Sequence, residues 1–90
     1  MSDSRSAVAP VANARALVEH IARALVEAPE AVVVDEFEDK GEMVVELEVA
    51  PDDVGKVIGR QGSVVRAMRN LVRTVGDKND RDYVLEIVED

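Results

Sequence analysis

The chain has 90 residues, of which 47% are hydrophobic, and a formal net charge of -8 at pH 7. This length and apolar content allow one compact core without metal ions or crosslinks, and the absence of cysteine excludes disulfides, thiolate metal sites and cysteine nucleophiles. Since the sequence has neither a signal-like start nor a run of about 18 apolar residues, we expect a cytoplasmic protein without a membrane span.

The first predicted element is a helix. Residues 1–12 are small or polar and follow no period, which predicts a disordered N-terminal tail; residues 13–90 are then expected to form one domain. Apolar residues recur at intervals of three and four up to Leu25, as they do along one side of an amphipathic helix. Because Pro29 cannot continue such a helix, we predict a helix over residues 13–27.

Two predicted strands follow the helix. Residues 31–38 begin with β-branched side chains, and residues 43–50 alternate between apolar and polar, as a half-buried strand does. The residues between them, 38–41, predict a turn, so the two strands should form an antiparallel hairpin. Its solvent face is predicted to carry the glutamates of both strands, Glu36, Glu38, Glu46 and Glu48.

The second half of the chain predicts two helices and a strand. A proline and two aspartates mark the start of a short helix, which Gly59 interrupts. Ser63 is predicted to cap a longer helix over residues 63–75, and Gly76 to close it. Residues 83–88 alternate as a last strand. The predicted order of elements is thus helix, strand, strand, helix, helix, strand. This order predicts an α+β fold in which a three-stranded mixed sheet packs against three helices.

The segment Gly59-Arg60-Gln61-Gly62 lies between the last two predicted helices. Two glycines three positions apart permit a tight turn that a ligand can approach closely, because neither presents a Cβ. The helix that follows contributes free N–H groups and a partial positive charge at its N-terminus, and Lys56 and Arg60 add full charges. This pattern predicts a phosphate-binding loop, although a plain turn between helices is the alternative.

A basic strip extends this loop. Arg66, Arg69 and Arg73 lie at i, i+3 and i+7 of the following helix and so share one side of it. Residues 51–75 contain five basic and two acidic side chains, so the acidic total of the chain conceals a locally basic segment. The strip favours polyanion binding, but solvated helix faces also carry such charges.

The run from Val57 to Gly62, with Val65 three positions further on, resembles the KH signature of two aliphatic residues and a Gly-x-x-Gly loop. The element order resembles the type II arrangement, and VAPDDVGKVIGRQG is especially similar to the small single-KH bacterial proteins of the KhpA family. The resemblance covers about residues 13–89. It implies that the loop clamps the backbone of single-stranded RNA while an aliphatic groove holds the bases. The implied RNA contacts are Lys56, Gly59, Arg60, Gln61, Gly62, Ser63, Arg66 and Arg69, and the implied base groove consists of Val54, Val57, Ile58 and Val65.

The same resemblance implies a homodimer, or a heterodimer with a larger KH-containing protein, that acts as an RNA chaperone or post-transcriptional regulator affecting cell elongation and division. The rival hypothesis is a protein-interaction subunit whose fold serves dimerisation while a partner supplies most RNA contact. Single-stranded DNA is a third possible ligand. With His20 as the only histidine and no Walker loop, neither catalysis nor a cofactor nor a metal site is expected.

Overall fold

The computed structural model describes residues 13–89 of the chain. The predicted tail, residues 1–12, lies outside the described residues. The predicted α+β class and element order are confirmed. The elements are α1 (Ala14–Leu25), β1 (Val33–Asp39), β2 (Glu42–Glu48), α2 (Val54–Ile58), α3 (Ser63–Lys78) and β3 (Tyr83–Ile87), with single 3₁₀ turns at Pro29–Ala31, Pro51–Asp53 and Arg60–Gly62.

The sheet is mixed, as predicted, because the central strand β2 pairs antiparallel with β1 and parallel with β3. The hairpin turn is shorter than predicted and consists of Lys40 and Gly41. Both have a positive φ, 54° and 88°, which is the backbone of a two-residue turn whose twist matches that of the flanking strands. Strand β1 therefore continues to Asp39, and β2 begins at Glu42.

The face of the sheet that carries Val34, Val45, Leu47 and Leu85 packs against the helices, and all four side chains are buried. The pairing register places Glu36 opposite Val45, and it places Glu38 opposite Met43. Directly paired residues share a face, so both glutamates lie on the helix side. The prediction that they share the solvent face with Glu46 and Glu48 is wrong, because the period-two alternation of β1 puts Phe37 on that face instead.

Both inward glutamates have partners near the hairpin end of the sheet. The Tyr83 hydroxyl donates a hydrogen bond to Oε2 of Glu36 at 3.3 Å, and Nη2 of Arg81 lies 4.0 Å from Oε2 of Glu38. Burial and the neighbouring Glu36 carboxylate raise the pKa of Tyr83, while Arg81 acts in the opposite direction. Polar contacts thus replace the apolar core at this end of the sheet.

Helix α1 packs its small apolar side, Ala14, Val18 and Ala22, onto the sheet. The helix begins after Asn13, whose Oδ1 accepts a hydrogen bond from the N–H of Ala16 at 3.1 Å. It ends at Leu25, two residues before the predicted end, since Val26 is already extended.

Helix α3 buries Val65, Met68, Val72 and Val75 against the sheet. It continues to Lys78, so the prediction that Gly76 closes it is wrong. Gly76 lies inside the helix and is needed for close packing, because a Cβ there would lie 2.5 Å from the carbonyl oxygen of Arg81. Leu71 is the apolar residue of this helix that the core leaves 45% exposed.

Candidate nucleic-acid interface

The candidate site begins where helix α2 ends at Gly59. Gly59 has φ 80° and ψ 172°, a conformation that only glycine adopts readily. A Cβ at this position would lie 2.5 Å from Cγ2 of Val64 and 2.8 Å from its backbone nitrogen. Gly59 therefore allows the chain to turn back tightly onto the start of α3, and its inner side is closed by packing.

The turn itself runs through Gln61 and Gly62, both in the left-handed region with φ 56° and 77°. The N–H of Gly62 donates to the carbonyl oxygen of Gly59 at 3.1 Å, which closes the turn. Nothing lies within 4 Å of the position that a Cβ would take at Gly62. The two glycines thus differ: Gly59 is required by packing inside the protein, while Gly62 leaves open space outside it.

Helix α3 starts directly after this turn. Gly62 occupies the N-cap position, no side chain accepts a hydrogen bond from the first turn, and no acidic residue lies there. Ser63 is the first helical residue rather than the cap, so its predicted capping role is wrong. The N–H groups of Gly62 and Ser63 already donate to the carbonyl oxygens of Gly59 and Arg60. An N-terminus without a side-chain cap still offers the partial positive charge of the helix to an anionic ligand. We call Gly59–Gly62 together with this first turn of α3 the loop surface.

The predicted cations divide into those at the loop surface and those engaged elsewhere. Arg60 is exposed within the loop, and Nη2 of Arg66 donates to the carbonyl oxygen of Gln61 at 3.2 Å, which holds its guanidinium beside the turn. Arg69 instead donates from Nε to the carbonyl oxygen of Leu85 at 3.4 Å. Arg73 bonds to Asn70 on its own helix. The structure therefore places Arg60 and Arg66 at the loop surface and directs Arg69 towards β3.

The fifth predicted cation, Lys56, pairs with Asp53, an aspartate that the sequence pattern assigned only to the start of the short helix. Its Nζ lies 3.6 Å from Oδ1 of Asp53, whose carboxylate also accepts hydrogen bonds from the N–H groups of Glu27 and Ala28, both at 3.1 Å. Burial would raise the pKa of Asp53, but these two N–H donors and Lys56 outweigh it and hold the pKa below its ordinary value of 3.8. Asp53 thus ties the segment after α1 to the start of α2.

The four predicted groove residues are not equally accessible. Val57 is 0% exposed and Val65 7% exposed, and both belong to the core. Val54 and Ile58 are only partly buried and pack against that core from outside. An open cleft of about 250 Å³ borders Val54, and its other lining residues are Glu48, Val49, Pro51, Val88 and Glu89.

The described part of the chain shows no other type of site that would compete with this one. Between residues 13 and 89, no set of three or more histidine and acidic side chains is arranged to hold a metal ion. None of the helices in that range has the length and apolar character needed to cross a membrane.

Comparison with known proteins identifies the family of this chain. The family model described as "KhpA/KhpB, KH domain" matches residues 15–87. The chain belongs to the KhpA/KhpB KH-domain family. The protein named RNA-binding protein KhpA in Halalkalibacterium halodurans is 45% identical over 75 residues, which cover 83% of this chain and 99% of the relative. That of Caldanaerobacter subterraneus subsp. tengcongensis is 44% identical over 72 residues, which cover 80% and 96%.

Solved structures agree on the fold. Era of Aquifex aeolicus, crystallised with GDP and AlF4-, superposes with a TM-score of 0.54 at 19% sequence identity, covering 86% of this chain and 31% of the Era chain. Era in complex with MgGDPNP and nucleotides 1506-1542 of 16S ribosomal RNA gives the same values. This chain spans about a third of Era, and at that identity the likeness shows the fold alone.

Proposed function

We propose that this protein binds single-stranded RNA by holding the sugar-phosphate backbone against the loop surface. The observation that carries the proposal is the open side of Gly62, which lies at the uncapped N-terminus of α3. A phosphate placed there would meet the positive end of a helix dipole and the guanidinium groups of Arg60 and Arg66. That the similar KhpA proteins are named RNA-binding proteins supports RNA as the ligand.

In this proposal the bases lie beside the loop on an aliphatic surface. Val54 and Ile58 supply the accessible part of it, and Val57 and Val65 support it from the core. The chain has one tyrosine and one phenylalanine, and neither belongs to the loop, so stacking on aromatic rings cannot be the main contribution. We therefore expect modest affinity, little base specificity and, for about three neutralised phosphates, a slope of log K against log salt of about -2.

The wider role that we propose follows from family membership. We expect a cytoplasmic, non-enzymatic RNA chaperone or post-transcriptional regulator affecting cell elongation and division, as a homodimer or with a larger KH-containing partner. The RNA contacts are proposed for Gly59, Arg60, Gln61, Gly62, Ser63 and Arg66 at the loop surface. Lys56 and Arg69 are proposed as outer contacts that would exchange their present partners, Asp53 and the carbonyl oxygen of Leu85, for phosphate.

A second candidate is a protein-interaction subunit whose partner supplies most RNA contact. Two observations favour it. Lys56 and Arg69 are engaged within the fold, which leaves fewer cations for RNA, and Leu71 is 45% exposed on α3, where a second protein could cover it. Under this reading, Leu71→Glu would be the damaging substitution, and changes to the loop would leave RNA association unaltered.

The test is ultraviolet crosslinking of the purified full chain to a labelled single-stranded RNA, with and without Arg60→Asp combined with Gln61→Asp. Aspartate tolerates the left-handed backbone of position 61, so the loop conformation should persist while its charge becomes negative. The matched control is Lys40→Asp combined with His20→Asp. This pair changes the net charge by the same amount at two exposed positions outside the loop.

The proposal predicts that crosslinking falls at least tenfold in the loop variant and less than twofold in the control, with unchanged circular dichroism for both. An equal decrease in the two variants would show that only total charge matters. Unchanged crosslinking in the loop variant would contradict the proposal and favour the interaction subunit. Competition by a DNA oligonucleotide of the same sequence separates RNA from single-stranded DNA.

A further inference from the structure

A second surface, separate from the loop surface, lies on the side of the sheet that no helix covers. The register assigns ten outward-facing strand residues to it, and we call this surface the outer face. Six of them are acidic and four are apolar, and none is basic or neutral polar. The acidic residues are Asp35, Asp39, Glu42, Glu46, Glu48 and Glu86, and the apolar residues are Val33, Phe37, Val44 and Val84.

Three of the four apolar residues of the outer face form a small row of their own. Phe37, Val44 and Val84 pair in register across the three strands. Val44 is buried to 4% exposure yet does not belong to the main core. Val33 lies outside this row and pairs with Glu48, beyond Asp35. The cover of Val44 therefore comes from neighbours on the outer face, while Phe37 in the same row remains 43% exposed. An apolar row with such exposure on a sheet face is the kind of surface that another molecule covers.

Carboxylates flank this apolar row on both sides. On one side, two residues along each strand, lies a row of three paired acidic residues, Asp35, Glu46 and Glu86. On the other side, Asp39 pairs with Glu42. Like charges directly opposite each other on neighbouring strands destabilise a sheet. Among residues 13–89, the ion pairs engage Glu19, Asp53 and Glu38 only, so no carboxylate of the outer face has an ion-pair partner there. Glu42 shares a cleft with Arg73 and Arg81, which leaves the row Asp35, Glu46 and Glu86 as the less compensated of the two.

The arrangement specifies the chemistry of its partner. The apolar row extends about 10 Å across three strands, and each acidic row lies about 7 Å from it along the strands. A complementary molecule needs an apolar centre with cations on both sides. RNA is excluded because its phosphates would meet the carboxylates. A second copy docked by the same face would bring acidic rows together, which disfavours self-association.

We propose that the outer face is a docking site for a lysine- or arginine-rich protein segment that has an apolar centre. Such a segment would bury Phe37 and Val84 and neutralise the row Asp35–Glu46–Glu86. The site goes beyond the proposed RNA binding, and its location would leave the loop surface free to hold RNA at the same time.

The test is fluorescence anisotropy with the full chain and a short labelled peptide that has lysines on both sides of a central leucine. A second peptide has serine in place of leucine at the same charge. The protein variants are Glu46→Gln with Glu86→Gln, and, as a charge-matched control, Glu27→Gln with Glu30→Gln, whose side chains are exposed outside the sheet. Phe37→Ser tests the apolar row, with Val84→Thr as a second variant should the first fail to fold.

We expect the leucine peptide to bind at least fivefold more tightly than the serine peptide. We also expect the affinity of the leucine peptide to fall about tenfold for the Glu46/Glu86 variant and for Phe37→Ser. The Glu27/Glu30 control should change this affinity less than twofold, and none of the variants should change RNA affinity by more than twofold. The proposal would be overturned if both peptides bound with equal affinity, or if the two glutamine variants lost the same amount of peptide affinity. Either result would show that the peptide binds through non-specific ion pairing alone. Self-association that Phe37→Ser abolishes would also overturn it, because the occupant would then be a second copy.

Discussion

At and behind the loop surface, charged groups already have partners within the protein. Arg66 donates a hydrogen bond to the carbonyl oxygen of Gln61. Behind the loop, Asp53 accepts hydrogen bonds from two backbone N–H groups and forms an ion pair with Lys56. On the outer face, by contrast, the acidic row contains Asp35, Glu46 and Glu86. None of the three forms an ion pair with another described residue. The first region is organised by its own contacts, and a preorganised site loses little entropy on binding. The second lacks ion pairs among the described residues, and the proposed basic partner would supply them. Substitutions in the two regions should therefore change stability in opposite directions.

The largest expected effect is that of Gly59→Ala. The substitution forces a side chain into a backbone conformation reserved for glycine and against Val64, so we expect a loss of about 2–5 kcal/mol in the free energy of unfolding. Urea denaturation measures it. Gly55→Ala is the control, because a Cβ at Gly55 meets nothing within 4 Å and alanine is the better helix former. If Gly59→Ala were as stable as Gly55→Ala, the loop would not be built as described.

The next effect is expected at Asp53, where Asp53→Asn should lower the melting temperature at neutral pH by several degrees. The amide keeps one acceptor but turns its NH₂ group towards a backbone N–H, so a hydrogen bond of Glu27 or Ala28 is lost. Because the pKa of Asp53 in the folded protein lies below 3.8, its contribution is complete above about pH 4 and disappears as the pH falls through the folded-state pKa.

Calorimetry between pH 7 and pH 2.5 checks this dependence. The difference in melting temperature between the parent chain and Asp53→Asn should be constant near neutrality and should narrow below about pH 4. A difference that stays constant down to the lowest pH would mean that the carboxylate does not stabilise the start of α2.

The residues in these predictions show which features of the fold could be predicted from the sequence alone. The period-two and period-3.6 patterns gave the correct order of elements because local side-chain spacing determines them. The role of Asp53 could not be predicted in this way, since its partners lie 25 and 26 residues away and an aspartate near a helix start already has a local explanation. Gly76 illustrates the same limit: a glycine late in a helix resembles a cap, and only the close approach of Arg81 and Tyr83 shows its packing role.

The candidate site was predictable to a similar extent. The Gly-x-x-Gly spacing located the turn, and the charge pattern identified the basic strip. What the pattern could not provide is which of Val54, Val57, Ile58 and Val65 face outward, because all four suit a helix face and their burial depends on how α2 and α3 pack against each other and the rest of the fold. The direction of Arg69 towards Leu85 depends in the same way on tertiary packing.

The substitution Gly62→Ala should have a small effect on the stability of the protein and a larger effect on its affinity for RNA. Gly62→Ala meets no atoms within 4 Å, so we expect a cost of about 1 kcal/mol for the left-handed backbone. RNA affinity should nevertheless fall about tenfold, because the added methyl group occupies the space that a phosphate would take. Equilibrium binding by filter retention measures the affinity, and unchanged affinity would place the RNA elsewhere.

The smallest effect, and the only gain, is expected on the outer face. Glu46→Lys places a cation between Asp35 and Glu86 in the cross-strand row, which should stabilise the protein by about 0.5–1 kcal/mol at low salt. Repetition at high salt should remove most of the gain, since exposed charges are screened. A destabilised variant would show that the row is not repulsive, and the contrast between the two regions would then not hold.

Nuclear magnetic resonance titration of the ¹⁵N-labelled full chain with a single-stranded RNA oligonucleotide tests the central claim most directly. The account predicts shifts of the backbone amides of Gly59–Val65 and of the side-chain resonances of Arg60 and Arg66, with the amides of Asp35, Glu46 and Glu86 unmoved. Shifts concentrated on β1 and β3, or a titration that leaves the glycine loop unchanged, would contradict it.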